Sequence, residues 1–192
     1  ISAASAQLAH HYHLPIRAVA GATEAKEMDV QCGFERGQSM LLAAMAGVNY
    51  ITCVGTLEST NLGAHELAVI DNEIIGRVER ALKGINVNET MLAIDDIQRV
   101  GADGNYLMEP FTLEHFKSEH FIPTVTDRNQ IEAWKESGRK NIADHAAAEV
   151  DRIMAEHQPR ELDPKLAAEL DAYVEMVKKR TIEDFEKAEW EG

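Results

Sequence analysis

Between Asn49 and Glu73 the chain changes its hydrophobic period once, and that change restricts the folds open to it. Tyr50-Ile51-Thr52-Cys53-Val54 is a short β-type run, Gly55 to Gly63 is a polar loop, and Leu67, Ile70, Ile74, Ile75 and Val78 then recur at helical spacing. A strand that hands a polar loop to a helix is half of a βα unit. Ligands gather at the carboxyl ends of strands in α/β folds, so this loop is the expected seat of function.

The segment before it repeats the pattern. Leu14-Pro15 breaks a first helix, read over Ser2 to His13 with Ser2 as its N-cap, and Ile16 to Ala20 is a short strand. A carboxylate-rich loop from Gly21 to Asp29 leads into a helix from about Val30 to Ala46. Its second half, Met40 to Ala46, is almost uniformly apolar, which implies burial on most sides. Strand, helix, strand, helix is the order of a parallel sheet.

After a helix over about Ala64 to Leu82, Asn88 caps a predicted helix over Glu89 to Arg99, stopped by Gly101. Residues 102–110 read as turn-like with at most a short strand at Tyr106-Leu107-Met108, followed by a helix over Leu113 to Glu119 and an extended linker from Phe121 to Asp127. The composition then changes. Gln130 to His157, interrupted at Gly138, and Pro164 to Glu189 read as long charged helices with narrow apolar stripes: Ile142, Ala146, Val150 and Ile153, then Leu166, Leu170, Tyr173 and Val177. Asp163-Pro164 marks the second start as an N-cap followed by proline. The expected organisation is therefore a βα domain over 1–127 and a helical appendage over 128–192.

Composition removes several function classes. The chain has 192 residues, 45% hydrophobic, enough to bury a core. Its net charge of −14, from 33 acidic and 19 basic residues, repels a phosphate backbone, so no nucleic-acid partner is expected. No stretch approaches the roughly 18 apolar residues of a membrane span and no signal segment opens the chain, so a cytoplasmic protein without a membrane partner is expected. Cys32 and Cys53 lack metal-ligand spacing and read as reduced thiols. His10, His11 and His13 cluster at a helix end, where they suit the helix dipole better than a metal. The chain opens at Ile1 in mid-helical pattern, as the interior of a longer chain or a processed start would.

Phosphate loops, HExxH and GxSxG are missing. What remains is a polar inventory on the two strand-following loops: Thr23, Glu24, Lys26, Asp29 and Gln31 on the first, and Thr56, Glu58, Ser59, Thr60, Asn61, His65 and Glu66 on the second. Taken singly, each is an ordinary loop or cap group. If the strands are parallel neighbours, both loops emerge at one edge and line one pocket.

At these loops the chain resembles a known family. Glu24-Ala25-Lys26-Glu27-Met28-Asp29-Val30-Gln31-Cys32-Gly33-Phe34-Glu35 resembles the (S/D)xKxxDxQAGYE signature of the trimethylamine methyltransferase superfamily. Gly55-Thr56-Leu57-Glu58-Ser59 and Val69-Ile70-Asp71-Asn72-Glu73-Ile74 resemble its GxLES and VIDNEI segments. Thr112 to Phe116, Thr126-Asp127-Arg128 and Glu132-Ala133-Trp134 have counterparts there too.

The resemblance implies an α/β fold, the C-terminal part of a (β/α)8 TIM barrel with a helical C-terminal appendage. It implies a methyl group leaving a quaternary or tertiary methylamine, such as glycine betaine or trimethylamine, for the cobalamin of a separate corrinoid protein; no cofactor is bound directly. The absence of a written pyrrolysine points to the glycine betaine branch. A quaternary ammonium needs no general acid to leave, only a pocket that positions one methyl, so no catalytic side chain is singled out. By that logic Glu24 and Glu58 are candidates for the substrate cation and His65 for its carboxylate, with Asp29, Gln31 and Asn61 on the rim. A half barrel exposes two sheet edges, which implies a homo-oligomer or a covering chain. It also leaves open a second reading, a non-catalytic half-barrel for partner binding or oligomerisation.

Overall fold

In the computed structural model, β1 (Arg17–Val19) and β2 (Tyr50–Thr52) pair in parallel, with Arg17 opposite Tyr50, Ala18 opposite Ile51 and Val19 opposite Thr52. The structure describes residues 1–184. Parallel strands need a long crossover, and α2 (Val30–Met45) supplies it. It starts where the Asp29 carboxylate accepts the Cys32 amide at 2.9 Å, and it ends before Gly47, whose φ of +76° breaks the helical path. Asn49 closes the unit by accepting the Ile16 amide on its side-chain oxygen at 3.0 Å and donating its own amide to the Ile16 carbonyl at 3.1 Å.

The first helix, α1 (Ser2–His11), is placed from both ends. Ser2 is not its cap. The cap position is Ile1, and the Ser2 hydroxyl donates instead to the Val19 carbonyl at 3.0 Å, tying the helix to β1. At the far end the His10 Nε2 lies 3.1 Å from the Gly47 carbonyl oxygen, so this histidine is spent on joining α1 to the end of α2.

After β2 the polar loop contains structure that its composition hides. β3 (Thr56–Leu57) and β4 (Leu62–Gly63) form a small antiparallel hairpin around a 3-10 turn at Glu58–Thr60. Its strands are two residues each, too short to carry an alternating apolar signal. It leads into α3 (His65–Leu82), which packs against α2. The core lies between them: Ala25, Cys32, Leu57, Leu67, Ile70 and Ala146 form one buried cluster, with Met28, Ala64, Val69 and Ile74 against it. Leu67 is 1% exposed, a burial that stabilises by roughly 1.5–3 kcal/mol.

Several expected elements are changed by their surroundings. The apolar second half of α2 is buried on one face only, since Met40 and Ala43 are buried while Leu42 and Met45 are exposed. The helix after Asn88 breaks at Ala93, whose φ of 49° separates α4 (Glu89–Leu92) from α5 (Ile94–Val100). Tyr106–Met108 is a 3-10 turn and not a strand, because the Asn105 side chain accepts the Leu107 amide and curls the backbone. The next helix, α6 (Pro110–Glu119), starts earlier than read, with proline in its first turn. Gly138, at φ +93°, lies between α7 (Ile131–Glu136) and α8 (Ile142–Glu156), as its sequence position implies.

Packing divides the chain into two units, Ile1–Ala155 and Glu156–Gly192. Composition alone changes near residue 127, but Ala146 is fully buried in the core of the first unit. In the second unit α9 (Pro164–Lys178) begins at Asp163, whose carboxylate accepts the Lys165 and Leu166 amides. Leu166, Leu170 and Tyr173 of its stripe are exposed. The expected continuation over 185–189 lies outside the described residues.

Candidate functional site

Because β1 and β2 are parallel neighbours, the loops that follow them leave the same end of the sheet. They are also laced together. Gly21 donates its amide to Thr52 O at 3.0 Å, Ser59 to Thr23 O at 2.9 Å and Glu58 to Ala25 O at 3.0 Å. The Ser59 hydroxyl donates to the Glu24 carboxylate. Gly21 makes the approach possible, since a Cβ there would lie 2.7 Å from the Cys53 carbonyl oxygen.

The second loop is backbone-strained. Glu58, Ser59 and Thr60 have φ of 47°, 49° and 81°, and Cys53 has 71°. Each such non-glycine residue costs roughly 1–2 kcal/mol, and the run persists only because its surroundings over-determine it. The cross-loop bonds supply part of that, and the Asn61 amide bond to Glu58 O at 3.0 Å supplies more.

The rest comes from beneath. Arg36 of α2 and Asp71 of α3 form a fully buried ion pair. Arg36 Nε donates to Asp71 Oδ1 at 2.6 Å and Nη2 donates to Oδ2 alongside it. The remaining valences go to the loop: Arg36 Nη1 donates to Thr56 O at 2.7 Å, and the Gly55 amide donates to Asp71 Oδ2 at 2.6 Å. A buried pair whose spare donors and acceptors are spent on a neighbouring backbone fixes that backbone.

Glu35 does the same for the first loop. Its carboxylate accepts from the Thr23 hydroxyl at 2.5 Å, the Glu24 amide at 3.0 Å and the Gln31 side chain at 2.9 Å. These bonds, that from Thr23 foremost, hold its pKa below the usual carboxylate range. Further along α3, Glu73 is 3% exposed and accepts the amides of Thr124, Val125 and Thr126 at 2.8, 3.1 and 2.9 Å. Burial would raise its pKa, but the Thr126 hydroxyl and these amides outweigh it and lower it to about 2.

The predicted site residues fall into two groups. Asp29 caps α2, and Gln31 braces Glu35. Glu24, Glu58, Asn61 and His65 stand on the rim. Glu24 is exposed and bonded to Ser59, while the half-buried Glu58 carboxylate has no hydrogen-bond or ion-pair partner among the described residues. His65 is the first residue of α3, whose N-cap, Ala64, offers no side-chain acceptor. Lys26 is turned back onto the Glu24 carbonyl at 2.7 Å and keeps its charge, but Glu24, Glu27 and Glu58 on the same two loops outnumber it, so the rim is acidic on balance and attracts cations.

Arg36, Glu35, Asp71 and Glu73 were not singled out from the sequence, although a signal existed. Arg36 follows Cys32 and precedes Met40 at helical spacing, and Asp71 stands likewise between Leu67 and Ile74. Opposite charges on two apolar stripes mark a buried pair. Among the described residues no group of three or more His, Cys, Asp or Glu is placed to hold a metal ion, and no helix is long and apolar enough to cross a membrane. Both cysteines are free, Cys32 buried and Cys53 half-buried.

Comparison with known proteins agrees with the loops. Residues 1–182 match the model of the family described as trimethylamine methyltransferase (MTTB). Glycine betaine methyltransferase of Desulfitobacterium hafniense strain Y51 is 32% identical over 172 residues, covering 89% of this chain and 36% of the relative. Trimethylamine methyltransferase MttB of Methanosarcina barkeri strain Fusaro is 35% identical over 181 residues, covering 93% of this chain and 36% of the relative. MttB2 of Methanosarcina mazei is 37% identical over 177 residues, covering 91% and 35%. The chain thus spans about a third of the length of these curated relatives. With a family match over nearly all of its residues, the chain belongs to the trimethylamine methyltransferase family.

Proposed function

We propose that this chain is the C-terminal part of a (β/α)8-barrel methyltransferase that moves a methyl group from a quaternary or tertiary methylamine to a corrinoid protein. The observation that carries the reading is the rim: two loops at one end of adjacent parallel strands, braced from below, presenting an unpaired carboxylate at Glu58. The corrinoid, borne by the partner, supplies the methyl-accepting nucleophile. This chain's residues hold the amine.

A methylammonium cation cannot donate a strong hydrogen bond when quaternary, so it is held by charge and shape. Glu24 and Glu58 flank the Ser59 contact and supply the charge. A substrate carboxylate fits His65 and the uncapped amides at the start of α3, where the helix dipole favours an anion. Asp29, Gln31 and Asn61 complete the rim. Two free cysteines suit a reducing cytoplasm.

The test is made in the intact protein with its corrinoid partner. His65→Ala is expected to raise KM for glycine betaine by about 10-fold while leaving trimethylamine, which has no carboxylate, unaffected. Glu58→Gln is expected to weaken both. Equal effects of His65→Ala on the two amines would remove the carboxylate assignment, and no transfer from either would remove the function.

A second reading keeps the chain as a partner-binding or oligomerisation module. It is favoured by the exposure of Val19, Tyr50, Leu42 and Met45 on and beside the two-stranded sheet. It predicts assembly without methyl transfer.

A further inference from the structure

The far end of α3 holds a feature that the rim does not use. Arg80 is 15 residues beyond His65, about 22 Å along the helix axis at 1.5 Å per residue. Here α3, the end of α6 and the segment 120–128 enclose an open groove of about 920 Å³, lined by Arg77, Arg80, Phe116, His120, Phe121 and Arg128. In a chain of net charge −14 this groove has an excess of cations.

Arg80, Arg77 and Phe121 are fixed in place. Arg80 is committed: its guanidinium donates to the Glu119 carbonyl at 2.8 Å and carboxylate at 2.7 Å, and to the Gly84 carbonyl at 2.8 Å. Arg77 is held, and its ion pair with the Glu73 carboxylate is a long one. It donates to the Thr126 hydroxyl at 3.0 Å and lies 5.6 Å from the centre of the Phe121 ring, while Glu73, 3.8 Å away, spends its oxygens on the 124–126 amides. Arg128 is exposed and has no hydrogen-bond or ion-pair partner among the described residues. The Phe121 ring is seated against Gly76, where a Cβ would come within 2.3 Å of it. An aromatic floor is thus locked beside two guanidiniums that retain donors.

We infer that this groove is a binding site for a small organic anion, with a phosphate or carboxylate head between Arg77 and Arg128 and an apolar, planar body on Phe121. Guanidiniums match the paired oxygens of either head group, and a volume of this size admits a ligand larger than a bare ion. The site is separate from the rim at the start of α3 and stands whether or not the methyl-transfer assignment does.

Phenyl phosphate and benzoate are the probes, titrated into the chain by isothermal calorimetry with inorganic phosphate alongside. Phenyl phosphate is expected to bind saturably with a Kd on the order of 1 mM or tighter, and more tightly than inorganic phosphate. A stronger benzoate signal would identify the head as carboxylate, and a weaker one as phosphate. Arg128→Gln, which removes no internal contact, is expected to weaken binding by about 10-fold with an unchanged thermal melt. Arg17→Gln, on β1 outside the groove, is expected to change nothing. Absence of saturable binding by both organic probes, equal affinity for phenyl and inorganic phosphate, or an unchanged affinity in Arg128→Gln would each overturn the site.

Discussion

Arg36 and Asp71 sit where helical spacing calls for apolar residues, and each is tolerable only because of the other. Removing one partner leaves a buried, uncompensated charge. Arg36→Met is expected to destabilise the chain by about 3–5 kcal/mol in urea unfolding, whereas the double variant Arg36→Met with Asp71→Leu is expected to recover most of that loss. The recovery should not extend to the loop, because Thr56 O loses its partner in both variants and the Gly55 amide loses Asp71 in the double one. Glu73 gives a pH signature. Its folded pKa of about 2 lies below the ordinary value of 4.5, so its stabilisation is full above pH 4.5. As pH falls toward 2 the unfolded carboxylate protonates first, and the contribution, on the order of 3 kcal/mol at most, is lost. Glu73→Gln is expected to flatten the stability profile across that window, as measured by denaturant unfolding at stepped pH.

At the scale of elements, the two rim loops behave as one object. Gly21 is the point of closest approach, and Gly21→Ala would drive a methyl into the Cys53 carbonyl, a backbone atom that cannot rotate away. Expected is a loss of about 1–3 kcal/mol in thermal unfolding, together with faster amide exchange at Glu58 and Ser59, whose donors bond across the gap. Strand and helix positions around these loops were legible from periodicity, and so was the pairing of the loops as a consequence of parallel order. The hairpin within the second loop was not, because two-residue strands hold no period to read. Nor was the break at Ala93, where a residue with good helix propensity takes a left-handed conformation that nothing in its chemistry announces.

For the molecule as a whole, the parallel sheet has only two strands among the described residues, and large apolar side chains such as Tyr50, Leu42 and Met45 stand exposed. Unpaired strand edges and uncovered apolar surface recruit other chains. The chain alone is expected to self-associate, seen as a mass that rises with concentration in light scattering; a constant monomer mass over a wide range would contradict this. The βαβα order, the two polar loops and the family are readable along the chain, since hydrophobic period and ordered motifs are local properties. That Ser2 and His10 serve as ties, that Asp29 and Gln31 are spent on bracing, and that Arg36, Asp71 and Glu35 hold the rim emerges once the chain is folded. Those outcomes depend on which groups meet across the fold, where a buried donor or charge must find a partner from a distant part of the chain.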